Sequence, residues 1–280
     1  MPGASIDHQR KRLIVSQSAL ATHQRCPEQF RQELLRPIRR HNDALACGSA
    51  VHLHAEHRLL GHTYATAYAR AYDWLDAEWQ REDFQFVKVA KPETMFAHFD
   101  ACVTGWEAHV LRQLPADGSV ETTLSFPLGE PDADGWEILL EGTPDYVADG
   151  IVWDWKTSAS EYNAYEAALW NVQPSAYTYL ASRATGVEHN DFCYAVMVKP
   201  HGTVQVLDVE RGPAEWAWLH RIAQGLLYMT RTMLDQPWPV VHTHYLCDPK
   251  WCPAWDECRG PYVNGEHNTE VQLTRRMARA

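Results

Sequence analysis

No apolar run in this chain approaches the roughly 18 residues that a membrane-spanning helix needs. The N-terminus, Met1-Pro-Gly-Ala-Ser-Ile-Asp-His-Gln-Arg-Lys-Arg12, also lacks the apolar segment of a signal peptide. Both absences point to a cytoplasmic protein with no membrane partner. Positive charge is scarce as well: 25 Lys and Arg stand against 36 Asp and Glu, for a net charge of −11. That excludes a protein that coats nucleic acid non-specifically, because neutralising phosphates takes Lys and Arg. The shortage is uneven, since residues 1–40 hold eight Lys and Arg against three acids and so form a local basic patch. There is no internal repeat and no low-complexity linker.

Of the 280 residues, 45% are hydrophobic and 22% charged, enough apolar material for a substantial globular core. Seven cysteines in a chain without a secretory leader suggest metal binding or burial rather than a disulfide framework. Cys47, Cys102 and Cys193 sit singly in apolar surroundings and read as buried small hydrophobes. Cys26, Cys247, Cys252 and Cys258 are different, lying among prolines, tryptophans and charged residues.

The most informative stretch runs from Glu141 to Ser158. Asp149-Gly150 between β-branched and aromatic residues is a strong signal for a two-residue hairpin turn. That turn fixes a register in which Ala148 pairs with Ile151, Val147 with Val152 and Tyr146 with Trp153, so Asp145 falls opposite Asp154. Directly opposed side chains have Cβ atoms roughly 4.5–5.5 Å apart, and like charges so placed destabilise a sheet. A cation relieves the repulsion. Lys156, two residues beyond Asp154, shares its face, while Trp153 and Trp155 point to the other. Magnesium or manganese held by such carboxylates can activate water and stabilise charge on a phosphoryl group, which suggests phosphodiester hydrolysis. An isolated Asp-x-Lys is common and usually solvated; the aligned upstream Asp is what gives this one weight.

The rest of the chain supplies the frame. Ser16 offers an N-cap to a helix that Cys26-Pro27 interrupts, with a second piece over 28–35. Residues 48–60 are helical, placing His52 and Glu56 one turn apart. A lone helical histidine is usually an ordinary polar residue, and the chain has 15. Residues 65–82 and 91–114 read as two aromatic-rich helices. Residues 119–128 read as one strand, and 136–140 leads into the hairpin. Gln173 and Tyr177 lie one turn apart around Pro174 at a helix start. Residues 191–199 and 203–210 form a second hairpin, and 215–234 a long amphipathic helix. This order supports an α/β fold, a central mixed sheet flanked by helices.

Taken together, Gly48-Ser-Ala-Val-His52, Asp145, Asp154-Trp-Lys156 and Gln173-Pro-Ser-Ala-Tyr177 resemble a RecB-like nuclease of the PD-(D/E)XK superfamily. The opening Ser16 to Phe30, with its Cys26-Pro, is similar to the iron–sulfur branch, that of AddB-type subunits and CRISPR-associated exonucleases. The resemblance implies a restriction-endonuclease-like core over residues 15–262. It has a helical insertion at 44–114 and a cysteine-rich segment at 237–260, between a basic tail at 1–14 and a disordered tail at 263–280. It makes His52, Asp145 and Asp154 metal ligands, with the Trp155 carbonyl a fourth, and Lys156 the catalytic lysine. Gln173 and Tyr177 help hold the site and the nucleic acid strand.

It further implies that Cys26, Cys247, Cys252 and Cys258 bind a [4Fe–4S] cluster joining the two ends of the chain. Four residues separate Cys247 from Cys252, where the family usually has two, and four thiolates can alternatively hold zinc. The implied activity is Mg²⁺- or Mn²⁺-dependent cleavage of DNA, as an exonuclease on single-stranded ends in replication, recombination or repair. Two alternatives stay open: a catalytically silent nucleic-acid-binding scaffold on the same fold, and a zinc-stapled structural protein.

Overall fold

In the computed structural model, residues 3–37, 41–241, 246–249 and 251–263 are described. The basic N-terminal segment expected over 1–14 carries regular structure from Ala4 onward. β1 (Ala4–Asp7) and β2 (Arg12–Ser16) form an antiparallel hairpin with Ala4 opposite Val15. Alternation explains the hairpin: Leu13 and Val15 both point inward and are fully buried, while Arg12 pairs with Glu137 across the sheet. The disordered tail expected from 263 onward lies outside the described residues, except for Val263 itself.

Ser16 caps α1 (Gln17–Arg25) by accepting the Ala19 amide at 3.2 Å. Cys26 is extended and Pro27 is the first residue of α2 (Pro27–Leu35), so the chain breaks where the proline placed the break. After β3 (His41–Asn42), α3 (Asp43–Leu59) begins well before Gly48. The reason is local: Asn42 caps the helix at Leu45, and the buried Asp43 carboxylate accepts the amides of Val87, Lys88 and Val89 at 2.6–3.1 Å. α4 (Tyr64–Trp79) leads to β4 (Phe84–Gln85), which pairs in parallel with β3. α5 (Pro92–Gly105) runs into one π turn (Trp106–Val110) and a 3-10 turn (Leu111–Gln113).

The strands that follow are β5 (Ser119–Val120), β6 (Leu124–Pro127), β7 (Glu137–Gly142), β8 (Tyr146–Ala148) and β9 (Ile151–Ser158). Then come α6 (Ala164–Leu169), α7 (Val172–Thr185), β10 (Asp191–Val198), β11 (Thr203–Glu210), α8 (Pro213–Met233) and α9 (Gly260–Val263). They build an α/β fold, but not around one central sheet. Four strands pair in the order β1-β2-β7-β6 and five in the order β11-β10-β9-β8-β5, and each sheet mixes parallel and antiparallel pairs.

The residues expected as one strand over 119–128 divide between the two sheets. Glu121 interrupts them with a left-handed backbone, φ 42°, and the chain crosses from β5 to β6. Its neighbour crosses at the same level, between Gly142 and Tyr146. The crossings stay bonded: the Glu121 amide donates to the Asp145 carbonyl at 3.1 Å, and the hydroxyls of Thr123 and Thr143 meet at 3.0 Å.

Two apolar cores flank the five-stranded sheet. On one face Trp153 and Trp155 pack with Ala50, Val51, Phe99 and Trp106 of the helical region. On the other, Val152, Phe192 and Tyr194 pack with Ala176, Tyr177 and Leu180 of α7, in a core shared with Leu13, Ile138 and Leu140 of the first sheet. α7 therefore fills the angle between the sheets. Gly142 permits this, since a Cβ there would stand 2.8 Å from atoms of both Leu180 and Tyr177. Among the described residues no helix is long and apolar enough to cross a membrane.

Candidate active site

The hairpin register is the one that Asp149-Gly150 dictates. Both turn residues have positive φ, 50° and 83°, and Ala148, Val147 and Tyr146 face Ile151, Val152 and Trp153. Asp145 and Asp154 are the next positions out, and both are buried, at 4% and 1% exposure. Their carboxylates have different partners. Asp145 Oδ2 accepts the Trp155 amide at 2.6 Å, and Asp145 Oδ1 faces His52 Nδ1 at 2.9 Å. Asp154 Oδ1 accepts from Gln173 Nε2 at 2.7 Å, and its Oδ2 forms an ion pair with Lys156 Nζ at 2.5 Å.

His52 comes from α3, whose close approach to β9 depends on Gly48: a Cβ there would lie 3.3 Å from Thr157 Oγ1. Gln173 lies in the first turn of α7, where Asn171 caps the helix, and the Tyr177 ring is buried one turn further on. The structure therefore brings His52, Asp145, Asp154, Lys156 and Gln173 to one place, with Tyr177 beside Gln173. The Trp155 side chain belongs to the opposite core, and its main chain reaches the site through the N–H that binds Asp145.

Three acids, one imidazole and one ammonium in so little space perturb one another. Burial pushes the Asp154 carboxyl up to about 6, with Lys156 opposing the shift and Asp145 adding to it. Burial by itself would lower His52, but the charge and hydrogen bond of Asp145 outweigh it and raise the imidazole to about 10. Lys156 is likewise held above its usual value by Asp154 and Asp145 against the cost of burial. Imidazolium and ammonium thus offset only part of the carboxylate charge.

Glu121 is a further candidate site residue, one that motif reading missed. Burial raises its carboxyl, and with His52 and Asp145 it presents three ligand atoms all within 4.8 Å of one another, a group able to hold a metal ion. The trace in the sequence was faint: Glu121-Thr-Thr123 sets three polar residues in a row inside an apparent strand. In front of the site lies an open groove of about 1140 Å³, lined by Gly48, His52, Glu56, Trp74, Glu121 and Lys156 among others.

Cys26, Cys247, Cys252 and Cys258 line a second, smaller cavity together with Arg25, Trp255 and Arg259. Among the described residues no thiol joins a group of three ligand atoms within 4.8 Å. Four thiolates on one zinc at about 2.3 Å would stand roughly 3.8 Å apart, so a single-ion zinc site is not assembled. Cys47, Cys102 and Cys193 are buried in the helix-side core, as expected.

A family model, that of the PD-(D/E)XK nuclease superfamily, matches residues 14–259, and the chain belongs to that superfamily. Its members are nucleases that use divalent metals, which accords with the acids gathered around His52. Among solved structures, a Eubacterium rectale protein named "Putative exonuclease" is similar over 87% of each chain, with a TM-score of 0.54 at 11% identity. SSO0001 is similar over 80% of this chain and 78% of its own, with a TM-score of 0.39 at 14% identity. No curated protein matches the chain.

Proposed function

We propose that the chain is a Mg²⁺- or Mn²⁺-dependent deoxyribonuclease that removes nucleotides from single-stranded DNA ends. The observation that carries the reading is the convergence of His52, Asp145 and Asp154 with Lys156 on a superfamily fold. A divalent cation bound there supplies Lewis acidity towards a phosphoryl oxygen and makes water a nucleophile at neutral pH. The protein's own groups set the rest. Trp155 N–H and His52 fix the orientation of Asp145, while Gln173 fixes Asp154. Lys156, its ammonium firmly protonated, stabilises charge developing on the phosphate and orients the attacking water. Tyr177 packs behind Gln173 and keeps that side of the site dry.

The preference for single strands and free ends rests on the resemblance to RecB-like exonucleases, as does a role in DNA replication, recombination or repair. A [4Fe–4S] cluster on Cys26, Cys247, Cys252 and Cys258 is part of the same reading, supported by the cavity that the four line together. It would join the first helical break to the C-terminal segment. The test is digestion of end-labelled DNA, single- and double-stranded, linear and circular, with magnesium or manganese and an EDTA control. Cleavage of linear but not circular single strands, abolished by EDTA, is expected. No metal-dependent cleavage of any substrate would favour a silent scaffold.

A further inference from the structure

We propose that Glu121 is a direct ligand of the divalent cation, so that the ion sits on the groove side of Asp145 between Glu121 and His52. The inference rests on the metal-dependent reading above and assigns a residue that the Asp-x-Lys pattern does not contain. The motif gives both strand carboxylates to the metal, but Asp154 is the more heavily engaged of the two. It is 1% exposed, tied to Gln173 at 2.7 Å, and ion-paired with Lys156 at 2.5 Å. Asp145 has spent one oxygen on the Trp155 amide and turns the other to His52. Glu121 has made no such commitment. Among the described residues its only ion-pair partner is His52, at 3.9 Å, and no Lys or Arg neutralises it although three-quarters of its side chain is covered.

The grouping of ligand atoms repeats this division. His52, Glu121 and Asp145 place theirs within 4.8 Å of one another, and Asp154 does not join them. Oxygen and nitrogen donors on an octahedral ion at about 2.0–2.1 Å are about 3 Å apart when adjacent and about 4 Å apart when opposite. Small side-chain adjustments bring the three donors to that spacing. They would occupy one side of the ion and leave the groove side to water and to a phosphate oxygen. The backbone agrees, because Glu121 holds a φ of 42°, which a side chain of its kind rarely adopts. That turn aims the carboxylate at His52 where a continuing strand would carry it away. Asp154, set behind Asp145, then serves chiefly to hold Lys156 in place.

The test measures Mn²⁺ affinity by calorimetric titration, and melting of the EDTA-treated protein, for wild type and for Glu121→Gln, Glu121→Gly, Asp145→Asn, Asp154→Asn and Glu56→Gln. Glu121→Gln and Glu121→Gly should each weaken Mn²⁺ binding at least about tenfold. Glu56→Gln, on the wall of the same groove, should change it less than about twofold. Glu121→Gly should also raise the metal-free melting temperature, because glycine accepts the positive φ and one repelling charge is gone. A residue that only shaped the bend would not combine a firmer apo-protein with a weaker cation site. Wild-type Mn²⁺ affinity in both Glu121 variants, with loss in Asp145→Asn, overturns the assignment and leaves the nuclease reading standing. Equal losses in Glu56→Gln and Glu121→Gln overturn it too, by reducing the effect to diffuse charge. Unchanged binding in Asp145→Asn and Asp154→Asn as well would end the metal-site reading itself. If Glu121→Gln does not fold, Glu121→Gly decides.

Discussion

Replacing Asp154 by Asn removes one charge from the most buried carboxylate of the site and keeps an oxygen for Gln173 Nε2. Burial holds the folded-state carboxyl at about 6 against an ordinary 3.8. With a raised carboxyl the sign is fixed: its contribution to stability is complete below about pH 3.8 and is lost as pH rises through about 6. At 1.36 kcal/mol for each pKa unit, the ionised group costs the metal-free fold up to about 3 kcal/mol at pH 8. Asn resembles the neutral acid and escapes that cost, though its amide beside Lys156 Nζ makes the figure a ceiling. For a domain of this size about 1 kcal/mol moves Tm by roughly 2–4 °C. EDTA-treated Asp154→Asn should therefore melt close to wild type at pH 4 and up to about 10 °C above it at pH 8. Thermal scans of both proteins from pH 4 to 8.5 check this. A difference that is flat, or that turns in favour of wild type as pH rises, would mean that Lys156 and Gln173 fully compensate the carboxylate, and the picture of a site short of positive charge would fall.

Lys156→Ala should bind Mn²⁺ as well as wild type or slightly better, since an ammonium is no ligand, while single-turnover cleavage falls at least about 10²-fold. Cys26→Ser should abolish the visible absorbance and iron content of anaerobically purified protein and expose the C-terminal segment to protease; iron retained at wild-type level would contradict the cluster. Glu28→Ala should cost about 3–5 kcal/mol in urea denaturation, because Glu28 is buried, paired with Arg31 at 2.7 Å, and bonded to the Trp238 amide at 2.7 Å. Limited proteolysis of that variant should cut first near Trp238; an unchanged pattern would show that the cysteine cavity alone holds the segment.

The parts of the fold that could be read in the sequence were those governed by local chemistry. Asp149-Gly150 set the register of β8 and β9 because few residue pairs take two positive φ values in succession. Cys26-Pro27 set the break between α1 and α2 because proline cannot continue a helix by i→i−4 bonding. The β1–β2 hairpin was missed because its turn holds no Gly, Pro or Asn and rests on Asp7 alone, whose carboxylate accepts the Gln9 and Arg10 amides at 3.1 and 3.0 Å, while Lys11 takes φ 53°. The split into two sheets was missed for the same reason at Glu121. Glutamate does not advertise a left-handed backbone, and the reversal there is imposed by Asp145 and Thr143 on the adjoining strand. Of the site, the strand and helix motifs were legible and Glu121 was not, because its place is set by tertiary pairing rather than by spacing.

The paired crossing at Glu121 and Asp145 joins the two sheets along one seam, with the candidate metal-binding acids on that seam. The β6–β7 turn at the far end of the first sheet is strapped to α8, where Arg231 bonds both Asp132 and Asp134. At the other end of the same two strands the Thr123 and Thr143 hydroxyls meet at 3.0 Å, so the first sheet is fastened at both ends, and the places of Glu121 and Asp145 are set by pairing on either side of the crossing.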